Sequence, residues 1–262
     1  MAAQALLEAS SPRDQARLLE QANSVGSAFM AVTPSPATNT IISTDTYRLG
    51  LRWWLGVPIL IGDPLPSCAG CQAPLDPFGD HLLCCPRNNF AERHNSVQDA
   101  FLSLLQAAGQ GVQREQAVPG SDARELRPAD LLLRHWQGGQ DTAVDFTVVH
   151  GWQAAEARHV SRERWRSFLA RKETAKKEKY TEACTKAHWA FIPAAFGTWG
   201  GQGPDAARLL HQVSKRVAGW VEGEERASEQ ETARHRVGLA VMRGVWALLE
   251  KKAFVPTPLA WR

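Results

Sequence analysis

"RPADLLLRHWQGGQDTAVDFTVV", residues 127–149, decides how the rest of the chain is read. Two apolar runs flank a Gln-Gly-Gly-Gln-Asp turn, which is the pattern of a β-hairpin. Asp130 opens the first run and Asp145 sits inside the second. Aspartate is depleted in strands, and a buried carboxylate is costly without a partner. Two of them on neighbouring strands also repel, unless a cation lies between them.

The segments around the hairpin supply its setting. "RHNSVQDAFLSLLQAAG" (93–109) spaces apolar residues at 97, 101, 104 and 105 as a helix does. Asn95 or Ser96 is the expected N-cap and Gly109 the stop. "GVQREQAV" (111–118) alternates like a half-buried strand. "SRERWRSFLARKETAKKEKYTEACTKAH" (161–188) is a long helix without Pro or Gly. "WAFIPAAF" (189–196) reads as a strand in which Pro193 marks an edge or a bulge. From residue 93 the order is α-β-β-β-α-β, and helices over 204–222 and about 227–252 complete an α/β fold. Residues 1–24 hold one weak amphipathic helix, and 32–45 have the Pro, Ser, Thr and Asn content of a linker.

With 262 residues, 44% of them hydrophobic, the chain can form one large domain or two small ones. A net charge of +3 leaves any nucleic-acid surface to local clustering. The odd count of five cysteines and a start without an export pattern predict a reducing, intracellular setting. No apolar run approaches the roughly 20 residues that span a bilayer, so no membrane partner is expected.

Four of the cysteines crowd into "CAGCQAPLDPFGDHLLCC" (68–85). Cys68 and Cys71 form a C-x2-C knuckle, and His81 and Cys85 come next at a spacing that suits tetrahedral zinc. Cys84 is the rival fourth ligand. Cys85 is preferred, because a three-residue gap after His81 lets both side chains converge without a strained turn. Reduced cysteines packed as small hydrophobes are the bland alternative. The intervening segment is too rich in Pro and Gly to build its own core, so a structural zinc would supply folding energy.

Between Asp130 and Asp145, magnesium would find the one or two carboxylates it favours, with waters and phosphate oxygens completing its shell. Such an ion polarises a phosphodiester and activates water. Nuclease chemistry of this kind adds a lysine, but Thr147 stands where the strand would supply it. The long helix offers a substitute. Trp165, Leu169 and Lys176 share a helical face, so Lys176 can reach over the hairpin. Lys172 is the second choice and Lys179 the third. Asp130 could instead cap a strand, and the lysines could extend along an apolar edge to water. Glu115, on the preceding strand, is a further candidate magnesium ligand, with Glu92 and Asp99 behind it. From Arg162 to Lys186 the helix carries nine Lys or Arg against four Glu. A solvated face is the ordinary reading of such a run. Beside a metal site, Lys172 and Lys177 would contact phosphates.

In order, C-x2-C, "GDHLLCC", "RHN", "RPAD", "AVDFTVV" and "KKEKY" resemble the C-terminal part of certain non-LTR retrotransposon polyproteins. There a zinc knuckle and a restriction-enzyme-like, PD-(D/E)XK-type endonuclease come after the reverse transcriptase. "YRLGLRWWLGVPI" is similar to the segment just after the polymerase domain of such elements. The likeness covers about residues 46–200. Alongside the post-polymerase segment with zinc knuckle (46–90) and the nuclease (91–200) that it implies, an N-terminal helix and linker (1–45) and C-terminal helices (201–262) are expected from the residues. The likeness also assigns Asp130 and Asp145 to the metal-binding acidic pair, Lys176 or Lys179 to the displaced catalytic lysine, and Tyr180 to the aromatic after it. Cys68, Cys71, His81 and Cys85 match its zinc ligands. Arg93 and His94 match the "RH" that opens the first nuclease helix, with a role at the active site or on DNA phosphate. The implied activity is magnesium-dependent nicking of DNA at a target site, in the nucleus. DNA, the RNA of the element and the reverse transcriptase of the same polyprotein would be the partners. The chain departs from the pattern at Pro-Ala-Asp and at Thr147, and contains no Tyr-x-Asp-Asp polymerase motif. A catalytically decayed, zinc-stabilised nucleic-acid-binding module is therefore the alternative.

Overall fold

The computed structural model describes residues 2–23, 25–119, 127–152 and 162–253, with the backbone alone at 2–4 and 162–166. Its described α-helices are α1 (Ala2–Ala9), α2 (Pro12–Gln21), α3 (Thr44–Trp54), α4 (Asp80–Cys84), α5 (Ala91–Ala107), α6 (Arg162–Lys186), α7 (Pro204–Val217) and α8 (Gly223–Ala253). The strands are β1 (Val112–Gln116), β2 (Ala129–Gln137), β3 (Gln140–Val149) and β4 (Ala190–Gly197). They form one mixed sheet in the order β1-β2-β3-β4, antiparallel except for the parallel β3–β4 pair. The expected α-β-β-β-α-β order from the first long helix onward is the order found. Among the described residues no helix is long and apolar enough to cross a membrane.

The hairpin forms as its turn residues dictate. Gln137 pairs with Gln140, leaving Gly138 and Gly139 at φ +60° and +79°. A type I′ turn requires two such positive angles, which glycine adopts without steric cost. Pro193 lies on the edge strand β4, in unbroken register with Asp145 of β3.

Helices cover both faces of the sheet. On one side Val97, Phe101, Leu104 and Leu105 of α5 share a core with Leu131, Leu133, Val144 and Phe146, and the Phe101 and Phe146 rings lie 4.9 Å apart. On the other, Leu132 and Ala143 meet Cys184 of α6 and the adjoining Trp189. Helix α5 starts four residues ahead of the expected Asn95 cap. Ser96 is drawn into the helix interior because its hydroxyl donates to the Ala240 carbonyl of α8 at 2.8 Å. Gly109, at φ +68°, ends it as expected.

The main core draws on the full length of the chain, from Ala16, Phe29 and Trp53 through Leu82 and Phe101 to Phe196 and Trp246. Of residues 32–45, expected as a linker, the last two open α3, and 32–43 contain neither helix nor strand. The Thr40 hydroxyl orders them, donating to the Thr33 carbonyl (2.9 Å) and accepting from the Ser35 N–H (2.8 Å).

Helix α2 packs with charged residues facing inward. Arg13 is buried and forks onto the buried Asp80 beside the cysteine cluster. Glu20 is also buried and accepts the Trp199 N–H at 2.9 Å. A side chain at Gly197 would collide with it, since an added Cβ would stand 2.2 Å from a Glu20 oxygen. Burial pushes the Glu20 carboxyl up from 4.5 to about 8, against the pull of the Trp199 and Gly201 amides. The folded protein therefore keeps this proton to higher pH than the unfolded chain does. Its contribution is complete below pH 4.5 and lost as pH rises through about 8. At roughly 1.4 kcal/mol per pH unit, that is a fall on the order of 4–5 kcal/mol across the window. Urea unfolding at pH 5 and pH 8.5 is expected to show the decline, and Glu20→Gln should flatten it.

Candidate metal centres

The cysteine segment builds a closed ligand set. The knuckle turns tightly, with the Gln72 N–H on the Cys68 carbonyl and the Cys68 N–H on the Ala73 carbonyl, both at 2.8 Å. The Asp76 carboxylate accepts from the N–H groups of Phe78, Asp80 and His81, which starts α4 and aims His81. Cys85 lies one turn later. The ligand atoms of Cys68, Cys71, His81 and Cys85 all lie within 4.8 Å of one another. Cys68 Sγ and Cys85 Sγ are 3.8 Å apart, and Cys71 Sγ and His81 Nε2 3.1 Å. A tetrahedron with zinc–sulfur arms of about 2.3 Å has edges of about 3.8 Å, so the set fits zinc. Burial raises the Cys68 thiol, but the N–H groups of Cys71 and Gly70 and the neighbouring ligands outweigh it and bring it down to about 6. The thiolate that a metal needs is thus favoured. Cys84 points elsewhere, donating to the Asp80 and His81 carbonyls of its own helix. Cys85 completes the group.

The second candidate centre lies on the sheet. Glu115 is flanked by the pairs Arg114–Leu131 and Gln116–Ala129, which sets it opposite Asp130. The β2–β3 pairing begins at Leu131–Val144, and beyond it the Phe146 N–H is taken by the Asp130 side chain. Glu115, Asp130 and Asp145 thus lie on three adjacent strands, with Glu115 and Asp130 met by side chains of α5 and Asp145 by α6. Each has a different neighbour. Asp145 is buried and meets Lys176 of α6, whose Nζ lies 3.0 Å from Oδ1 and 2.9 Å from Oδ2. Burial pushes the Asp145 carboxyl up, the Lys176 ammonium pulls it down, and Asp130 pushes it up again. Asp130 Oδ2 accepts the Phe146 N–H at 2.6 Å, and its Oδ1 faces His94 Nε2 at 3.4 Å. The hydrogen bond to Asp130 is the largest influence on His94 and raises its pKa. Glu115 Oε1 accepts from Gln98 Nε2 at 2.9 Å, and the same amide donates to the Asp130 carbonyl at 2.8 Å. Ligand atoms of His94, Glu115 and Asp130 lie within 4.8 Å of one another.

The helix lysines separate in space. Lys176 reaches Asp145, while Lys179 is exposed beside the Tyr180 ring at 4.7 Å. Lys172 lines a cleft of about 420 Å³ that opens beside His94 and Cys84. Lys177, expected on nucleic acid, is held by Asp205 of α7 at 2.6 Å. Arg93, expected on phosphate or at the active site, is buried, with its guanidinium on the Leu83 carbonyl and over the Phe90 ring. It ties α5 to the cysteine segment. Tyr180 is buried, edge-on to Phe191 at 5.7 Å. The Trp165 side chain lies outside the described residues.

Two contributors had no signal of their own in the sequence. Gln98 lies one turn after His94 on α5, and its value depends on the strand register that brings Glu115 and Asp130 beneath it. Glu173 is buried in α6 and accepts three backbone N–H groups, from Ala195 (3.2 Å), Asp205 (3.0 Å) and Ala206 (3.0 Å). It thereby grips β4 and the start of α7 from one helix. An inward-facing Glu in a basic helix gives no hint of such partners.

No protein-family model matches the chain, and no curated protein matches it.

Proposed function

We propose that the chain is a metal-dependent DNA endonuclease domain with a restriction-endonuclease-like fold, related to those of non-LTR retroelement polyproteins. The observation that carries this reading is that Glu115, Asp130 and Asp145 lie on three neighbouring strands, the first two with ligand atoms within 4.8 Å and the third paired with Lys176. Carboxylates held this close repel, and the arrangement becomes favourable once a divalent ion shares them. Such an ion, magnesium in the first instance, would polarise the phosphodiester and activate water. Asp130 is oriented for that task by the Phe146 amide and Glu115 by Gln98. Lys176 would orient the attacking water or neutralise developing charge. Lys172 and the cleft beside His94 would receive the DNA backbone. The cysteine cluster, closed by four protein ligands, has a structural part only. A nuclear location and a reverse transcriptase in the same polyprotein belong to the same reading.

The test is nicking of supercoiled plasmid with added Mg2+ or Mn2+. Wild type is expected to nick, and Asp130→Ala to lose at least about 100-fold of the rate, the scale of removing a key transition-state contact. Equal nicking by Asp130→Ala overturns the reading. A wild-type protein that shifts DNA in a gel yet leaves the plasmid intact under both ions points to the decayed binding module instead.

A further inference from the structure

We propose that His94 is itself a ligand of an ion held by Glu115 and Asp130, which makes this a mixed nitrogen–oxygen site that selects Mn2+ over Mg2+. The inference rests on the metal-dependent reading above and extends it to the identity of the ion.

The ligand atoms that converge most closely on the sheet are not those of the two hairpin aspartates. They are His94 Nε2 with one oxygen each from Glu115 and Asp130. Asp145 is engaged by the ammonium of Lys176 through both oxygens. His94 Nε2 and Asp130 Oδ1 are 3.4 Å apart, close to the roughly 3 Å between adjacent ligands whose arms are about 2.1–2.2 Å long. The supporting shell agrees. Asp130 Oδ2 is tied to a backbone amide, which leaves Oδ1 for the ion, and Gln98 holds Glu115 from the helix that carries His94. Outer-shell bonds of this kind are what fix metal ligands in place. Glu115 adopts φ +50°, a left-handed angle that a residue with a side chain takes at some cost. That kink sits within β1 at the residue whose carboxylate joins the cluster.

The ligand chemistry then decides the ion. Magnesium is hard, prefers oxygen and gains little from imidazole. First-row transition ions accept imidazole together with carboxylate, with Mn2+ the weakest binder of that series and also compatible with octahedral oxygen-rich shells. His94 and Asp130 are partly exposed and Glu115 is exposed, which leaves room for waters and a phosphate oxygen in the remaining positions.

The experiment uses full-length, zinc-loaded protein, so that the cysteine cluster is already filled. Mn2+ binding is read from loss of the free-ion electron paramagnetic resonance signal, and Mg2+ affinity from competition. Wild type is expected to bind one Mn2+ at least tenfold more tightly than Mg2+. His94→Ala should abolish that preference while leaving Mg2+ affinity within about threefold, consistent with the ligand preferences. His94→Glu should turn the preference towards Mg2+, and Asp130→Ala should weaken both ions. Circular dichroism melts of each variant establish that it is folded. An unchanged Mn2+ to Mg2+ ratio in folded His94→Ala overturns the inference, as does the lack of any Mn2+ binding by wild type. Nicking is scored separately. Protein that binds Mn2+ through His94 and never cleaves DNA defeats the nuclease reading and leaves this site standing.

Discussion

Cys85→Ser, or removal of zinc by a strong chelator, is expected to cost the protein most of its stability. Structural zinc contributes on the order of 10–16 kcal/mol of apparent binding energy in small modules at neutral pH. Only part of that would be lost here, because the segment also leans on the rest of the fold. The coupling nevertheless runs inward. Cys68, Leu75, Leu82, Leu83 and Cys85 are buried members of the main core. Asp80, next to His81, receives Arg13 of α2, and Leu83 receives Arg93 of α5. Loosening the cluster thus strands two buried guanidinium groups. A loss of roughly 5 kcal/mol or more is expected, enough to exhaust the margin of an ordinary domain. Cys84→Ser, outside the ligand set, should stay within about 1 kcal/mol. Thermal melts with and without chelator, alongside zinc quantitation, provide the check. A metal-free protein that melts where the zinc form does would show that the cysteines merely pack.

Lys176→Met is the second large effect expected, and it separates folding from chemistry. The Asp145 carboxylate is buried, and its only close cation among the described contacts is Lys176. Breaking a buried pair from one side typically costs 3–5 kcal/mol, because the remaining charge is left alone. With the Lys176 side chain one-third exposed, a figure of about 2–4 kcal/mol is more apt. The double variant Asp145→Asn/Lys176→Met leaves no orphaned charge and should recover much of that loss. It should still be inactive, with nicking down at least about 100-fold. Urea unfolding of wild type, both single variants and the double variant gives the coupling energy directly. A double variant whose loss equals the sum of the two single losses would mean that the pair is not coupled.

Legibility in the sequence tracks the range over which each signal acts. The cluster of Cys68, Cys71, His81 and Cys85 is legible because knuckle, His81 and Cys85 lie within one short segment whose spacing is itself the geometry. The hairpin was legible from its two glycines, and Lys176 from helical periodicity. The partnership of Glu115 with Asp130 depends on the β1–β2 register, across a connection whose length fixes no register. Glu115 could be named from the sequence as a candidate ligand, but its meeting with His94 could not be seen. Arg13 and Glu20 read as the polar face of a surface helix. Their burial arises only because Asp80 and the Trp199 amide wait on segments distant in sequence. Arg93 misled for the opposite reason, since an arginine at a helix start looks like a phosphate ligand until its carbonyl partner is known.

Glu173 has a consequence for how the Asp145–Lys176 pair could change state. Its carboxylate pins α6 to three amides one helical turn before Lys176, so that turn serves as a fixed pivot. Sliding or rotating the helix would unseat the corner between β4 and α7. Any exchange of partners at Asp145, from ammonium to an arriving ion, must therefore be made by the swing of a single four-carbon stem against a stationary scaffold.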